Sequence, residues 1–188
     1  VSPTASGKSL IIYCIIRMIR ESDGKILLVV PTTSLVEQMY KDFISYGYDA
    51  ETNVQRKYYG YEIDEDKKIV VSTWQSLATF DKKYFEQFNC VIGDEAHLYK
   101  SKELQKIMAA CINAKFRIGT TGTLDDSKVH KLVLEGLFGP VHYVTTTKEL
   151  IEKKQLANLK IECIVLKYPK EECMVIKNAK YQDEMDYI

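Results

Sequence analysis

The chain has 188 residues, 46% of them hydrophobic and 28% charged, which suits one domain of ordinary size with a normal buried core. Its 26 Lys and Arg balance its 26 Asp and Glu, so bulk charge does not recruit nucleic acid, and phosphate contacts must come from local patches or backbone amides. Five cysteines without a C-x-x-C pair, and His97, His130 and His142 without ligand spacing, exclude a disulfide framework and a zinc site.

The cysteines read as buried thiols in a reducing compartment. No signal peptide is visible, and the longest apolar run, 10–16, is too short to span a bilayer. The expectation is a cytoplasmic protein with no membrane partner.

In chain order, an amphipathic stretch at 8–21 predicts a first helix, stopped by Ser22-Asp23-Gly24. Residues 25–30 then form a continuous apolar strand that Pro31 ends. A helix is expected at 33–45, and 53–65 is polar, rich in Tyr and unassigned. Strands follow at 68–72, 89–93, 116–119 and 141–144. Helices are expected over 74–88, 102–112 and 127–137, and Gly139-Pro140 separates the last of them from the strand at 141. Strands apolar on both faces and separated by helices indicate an α/β fold with a mostly parallel sheet flanked by helices. A further strand-like run lies at 159–168, and beyond Pro169 the chain turns charged.

Two segments carry chemistry. Ser2-Pro3-Thr4-Ala5-Ser6-Gly7-Lys8-Ser9 fits G-x-x-x-x-G-K-[ST] except for Ser2 in the first glycine's place. Small residues let backbone N–H groups face polyphosphate oxygens, and a helix starting at Lys8 adds its positive end. Lys8 would reach the β- and γ-phosphates, and the Ser9 hydroxyl would bind Mg²⁺. A G-K-S turn that merely caps a helix has the same composition. The strand expected before such a loop would lie upstream of Val1, so the chain reads as truncated within its first strand.

The second segment, 89–97, is an apolar strand ending in Asp94-Glu95-Ala96-His97. Ligands of parallel sheets collect at the carboxyl ends of strands, which puts these acids on the edge that holds the phosphate loop. Asp94 suits Mg²⁺, a hard cation, and Glu95 suits the orientation or deprotonation of an attacking water. His97 either couples nucleotide state to its neighbours or merely opens a helix.

Pro3–Ser9, then 29–38, 71–77, 93–97 and 119–124 follow in the order of helicase motifs I, Ia, Ib, II and III. The chain resembles superfamily 2 helicases and translocases, and within them the phage UvsW type, which 137–141, 145–150 and 156–161 also resemble. The resemblance implies a RecA-like P-loop domain over 1–169 and, at 170–188, the start of a linker to a second RecA-like domain. It implies ATP and Mg²⁺ as cofactors and DNA, bound through its backbone, as partner. Pro31, Thr32 and Thr33, with Thr73, Trp74 and Gln75, would grip DNA phosphates. Trp74 is either a base-stacking platform or a core side chain. Thr121 and Thr123 either link the ATP site to the DNA path or form a turn of small residues.

Nothing in the chain matches motifs IV, V and VI, which carry the arginine finger, worth about 10³–10⁵ in rate. The expectation is therefore an ATP-binding half that hydrolyses slowly and does not unwind DNA alone. The alternatives are the motor of a restriction or remodelling complex and a catalytically silent binding module. The presence of Lys8, Ser9, Asp94 and Glu95 together argues against silence.

Overall fold

The computed structural model describes residues 1–3, 6–19, 24–58, 66–124, 127–157, 162–164, 167 and 173. The chain divides into two compact units, Val1–Leu156 and Ala157–Ile188. The first holds the sheet. Its central strand is β1 (Lys25–Val30), buried from Ile26 onward. Alternate side chains enter opposite faces: Ile26, Leu28 and Val30 join one apolar cluster, and Leu27 and Val29 join another.

Helices seal each face. On the first side lie α1 (Lys8–Ile19), which contributes Ile12 and Ile16, and α2 (Thr33–Ser45), which contributes Val36, Met39 and Phe43. On the second lie α6 (Lys102–Ala110), with Leu104, Ile107 and Met108, and α7 (Lys128–Phe138), with Leu134. Spacings of three and four residues make these single stripes on their helices.

Strand β3 (Ile69–Thr73) lies on one side of β1 and β4 (Phe88–Gly93) on the other, with β2 (Val54–Lys57) and β5 (Phe116–Gly119) outermost. The order is β2-β3-β1-β4-β5, and every pairing is parallel. In this register Val30 faces Thr73, and Gly93 stands between Val29 and Gly119. The chain therefore leaves β1, β3, β4 and β5 along one edge of the sheet.

The expected helix over 74–88 is two short ones, α4 (Trp74–Leu77) and α5 (Lys82–Phe85). Asp81 starts the second by accepting from the Tyr84 amide at 3.0 Å, a competing cap within the apparent helix. The expected strand at 141–144 does not form. Tyr143 and Val144 are exposed, and the segment's backbone bonds run instead to Val1, from the Val144 amide and to the His142 carbonyl. Strand propensity without a ladder partner does not make a strand.

Unforeseen elements are α3 (Ala50–Asn53), β2, a 3₁₀ turn at Ala96–Lys100, and α8 (Thr147–Glu152). The last opens on a capping box: Thr146 accepts from the Glu149 amide, and the Glu149 carboxylate accepts from the Thr146 amide. Of the strand-like run at 159–168, residues 162–164 and 167 are described and carry no strand, and its other residues lie outside the described ones, as does all of 170–188 but Cys173.

A tight contact fixes the end of β4. A Cβ built on Gly93 would stand 2.6 Å from Cζ and Oη of Tyr99, whose buried ring lies edge-on to Phe138. Only a residue without a side chain lets the strand pass there. Gly93→Ala is expected to destabilise the fold by about 1–3 kcal/mol, read as a lower urea midpoint at unchanged slope.

The expectation of uniformly buried thiols needs correcting: Cys90 and Cys111 are buried, whereas Cys14, Cys163 and Cys173 are exposed. Cys14 occupies the solvent face of α1, which the apolar run around it concealed. Burial pushes Cys90 and Cys111 up to about 12 from an ordinary 9.0. The folded state holds these two protons more tightly, so their contribution to stability is present below pH 9 and is lost as pH climbs toward 12. At pH 8 a disulfide reagent is expected to titrate Cys14, Cys163 and Cys173 promptly. Cys90 and Cys111 should react only when denaturant is added. Five fast thiols would contradict this packing.

Candidate functional site

The loop that opens the chain is braced from within. Ser2 is buried, its amide donates to the Thr121 carbonyl at 2.8 Å, and its hydroxyl lies 2.5 Å from that of Ser6. Ser6 in turn bonds the Pro3 carbonyl through both its amide and its hydroxyl. Ser2 thus adds a hydroxyl brace where the motif has glycine, a role that its departure from the pattern did not suggest. Gly7 has φ +79 with open space around a built Cβ, so backbone conformation alone demands glycine there. Helix α1 starts at Lys8 with no acid in its first turn, so its positive end is left for other anions. Thr4 and Ala5 lie outside the described residues.

Lys8 and Glu95, far apart in sequence, meet at this edge. The Lys8 ammonium donates to Glu95 Oε1 at 2.9 Å, with the two side chains 18% and 28% exposed. Glu95 achieves this from the left-handed region, φ 49 and ψ 54, where a non-glycine backbone stores about 1–3 kcal/mol. Both sides of the turn are pinned. The Asp94 amide continues the ladder to the Val29 carbonyl at 2.9 Å, and the Ala96 amide donates to the Thr120 carbonyl at 2.8 Å.

Asp94 is almost fully buried, and its Oδ1 accepts from the Thr120 hydroxyl at 2.8 Å. Thr120 also donates its amide to the Gly93 carbonyl at 2.9 Å. Sequence reasoning chose Thr121 and Thr123 and passed over Thr120. Its place comes from the register, Gly93 opposite Gly119, which sets the next residues, Asp94 and Thr120, side by side and which the sequence does not announce.

Thr121 is also buried, and its hydroxyl donates to the Thr123 carbonyl at 2.6 Å. With that hydrogen committed, Thr121 Oγ1 accepts from His97 Nδ1 at 3.0 Å, so this ring nitrogen carries the proton. The same nitrogen lies 3.4 Å from Glu95 Oε2. His97, Glu95, Thr121 and the start of the phosphate loop therefore form one bonded group. Burial, and secondly the charge of Asp94, hold the Tyr99 phenol above its ordinary range, so it stays neutral beneath the site.

The residues expected to meet DNA divide. Thr32 and Thr33 are exposed, and Thr32 Oγ1 accepts from the Leu35 amide at 3.3 Å as the cap of α2. Pro31 is half-buried and Gln75 exposed. Thr73 is buried, with its hydroxyl capping α4 through the Ser76 amide. Trp74 is half-buried and packs against the second apolar cluster, as a core side chain does.

The donor set fits a magnesium nucleotide. Ser9 and Asp94 offer hard oxygens, and Lys8 offers a cation. Among the described residues no group of three or more His, Cys, Asp or Glu could cage a metal alone. A cavity of about 350 Å³ flanks the site between α1, β5 and α7, but Ile11, Ile15, Ile118, Leu134 and Phe138 make its wall mainly hydrocarbon, unsuited to a triphosphate.

A family model described as the res subunit of type III restriction enzymes matches residues 1–126. The chain is 36% identical over 191 residues to the ATP-dependent DNA helicase uvsW of Enterobacteria phage T4, covering 99% of this chain and 38% of that protein. A crystal structure of T4 UvsW superposes with a TM-score of 0.69 at 34% identity, covering 98% of this chain and 37% of that one. The Pyrococcus furiosus Hef helicase domain gives 0.65 at 24% identity over 76% of this chain and 33% of its own, a likeness of fold. The chain thus spans about two fifths of the length of this curated relative. By the residues that its model matches and by the sheet that carries them, the chain belongs to the ResIII family of superfamily 2 helicases and holds their RecA-like domain.

Proposed function

We propose that this chain is the ATP-binding half of an ATP-driven motor that acts on DNA, as the relative named a DNA helicase does. The observation that carries the reading is the 2.9 Å contact of Lys8 with Glu95 beside a buried Asp94. One cation and two acids from distant segments have no packing reason to meet at the open edge of a sheet. They do have a chemical one if a charged ligand enters there.

Lys8 leaves Glu95 for the incoming β- and γ-phosphates, and the freed carboxylate orients the attacking water. Asp94, held by Thr120, and Ser9 would bind Mg²⁺, which when present neutralises charge on the transferring phosphoryl group. The exposed Thr32 and Thr33 offer hydroxyls and the amides of a helix start to a DNA phosphate, contacts that carry no base sequence. A second RecA-like domain of the parent protein would supply the arginine that accelerates hydrolysis. Branched DNA is the preferred substrate on this reading. No described helix is long and apolar enough to cross a membrane, and the reading places the protein in the cytoplasm.

The name of the matching family favours a second reading, the motor of a restriction complex. The 36% identity along 99% of this chain weighs toward the helicase.

ATP hydrolysis by the full-length parent should rise when forked DNA is added. Lys8→Ala should abolish nucleotide binding. Glu95→Gln should still bind ATP while kcat falls by about 10²–10⁴. A parent indifferent to DNA, or a Lys8→Ala protein with undiminished affinity for ATP, sinks the proposal.

A further inference from the structure

Ser9 is the residue the nucleotide reading assigns to the metal, and its hydroxyl is engaged by a side chain no motif marks. Ser9 Oγ and Tyr46 Oη lie 2.8 Å apart. Tyr46 caps the far end of α2, its amide donating to the Asp42 and Ile44 carbonyls. Its ring packs at 5.2 Å against that of Tyr13. Tyr13 donates its phenol hydrogen to the Tyr46 carbonyl at 3.4 Å and accepts from Arg17 at 3.0 Å. The phenol that meets Ser9 is therefore held by backbone, ring contact and a bonded neighbour at once.

A serine hydroxyl has one hydrogen and two lone pairs, and it binds a cation only through a lone pair, with its hydrogen turned elsewhere. An acceptor behind the hydroxyl sets that orientation beforehand, as the outer hydrogen bonds of metal ligands do. We propose that Tyr46 is a positioning residue for the metal-binding hydroxyl: its phenol oxygen takes the Ser9 hydrogen and leaves the Ser9 lone pairs facing the cation. This rests on the proposed assignment of Ser9 to Mg²⁺. It adds a residue from outside the phosphate loop, 37 positions along the chain.

Mn²⁺ provides a probe with its own spectroscopic signal. The free-ion resonance, followed while Mn²⁺ is titrated into the chain with ADP, reports metal affinity without turnover. A fluorescent ADP analogue titrated in chelator reports nucleotide affinity without metal. Tyr46→Phe keeps the ring and its contact with Tyr13 but removes the oxygen. It should weaken Mn²⁺ binding roughly 10-fold, the lower end for such outer partners, and leave metal-free nucleotide affinity unchanged. Ser9→Ala should weaken Mn²⁺ at least as much, and Lys8→Ala should lose nucleotide with or without metal.

If Tyr46→Phe binds Mn²⁺ like the unsubstituted chain while Ser9→Ala does not, the positioning role is refuted and the metal assignment stands. If Tyr46→Phe weakens metal-free nucleotide as much as metal, the phenol is only structural and the proposal fails. If Ser9→Ala leaves Mn²⁺ binding untouched, the metal assignment itself is wrong and Tyr46 has nothing to position.

Discussion

The contact on which the site turns is the ion pair of Lys8 and Glu95, which on the proposed reading the nucleotide must break. Lys8 and Glu95 are mostly shielded from water, so their attraction is less screened than that of surface charges. A lone carboxylate presents one negative charge, whereas a triphosphate presents several, together with many acceptor oxygens. The same ammonium is therefore better satisfied by phosphates than by Glu95. On that reading the exchange also frees Glu95 to face a water. The pair keeps both charges neutralised and holds Lys8 close to the sheet edge.

That pair depends on a turn whose parts are each unfavourable alone. Glu95 occupies a left-handed conformation that a side chain resists, and Asp94 is a carboxylate with almost no exposure. Each is held by neighbours across the sheet. The Val29 carbonyl receives the Asp94 amide, and Thr120 receives the Ala96 amide while donating its hydroxyl to Asp94. The ring of Tyr99 fills the space beneath Gly93 and blocks the strand from settling lower. Strain at this point is maintained by rigid parallel strands on either side, which is why it sits at strand ends rather than in a mobile loop.

How much of this was legible follows from which forces are local. Continuous apolar runs at 25–30 and 89–93 announced strands buried on both faces, and both stand where expected, because burial on two faces needs no knowledge of the partner. Helix α2 begins and ends as read, since Thr32 caps it and its apolar stripe is unbroken. The segment at 141–144 failed for the opposite reason: a strand depends on a neighbour, and composition cannot say whether one is there. Strand β2, four residues with the sequence Val-Gln-Arg-Lys, is too short and polar to announce itself, and it exists because β3 offers an edge. In the site, phosphate chemistry restricts the residue types and so singled out Lys8 and Glu95, and the fold brings these two into contact. Thr120 and Tyr46 were not, because any hydroxyl of the right reach serves to orient a neighbour, and reach is set by register.

Helix α2 ties these local facts into one mechanical statement. Its N-cap Thr32 and first residue Thr33 carry exposed hydroxyls, and its C-cap Tyr46 meets Ser9. Thirteen residues at about 1.5 Å each make a rod of roughly 20 Å. Its buried face, Val36, Met39 and Phe43, lies on the same apolar cluster as α1. A side chain at one end of such a rod cannot move far without repacking that stripe. On the proposed reading, DNA held at the amino end and metal held through Tyr46 at the carboxyl end share a single rigid body. Any motion of α2 over the sheet would then change both contacts together, without a chain of intervening side chains to carry the signal.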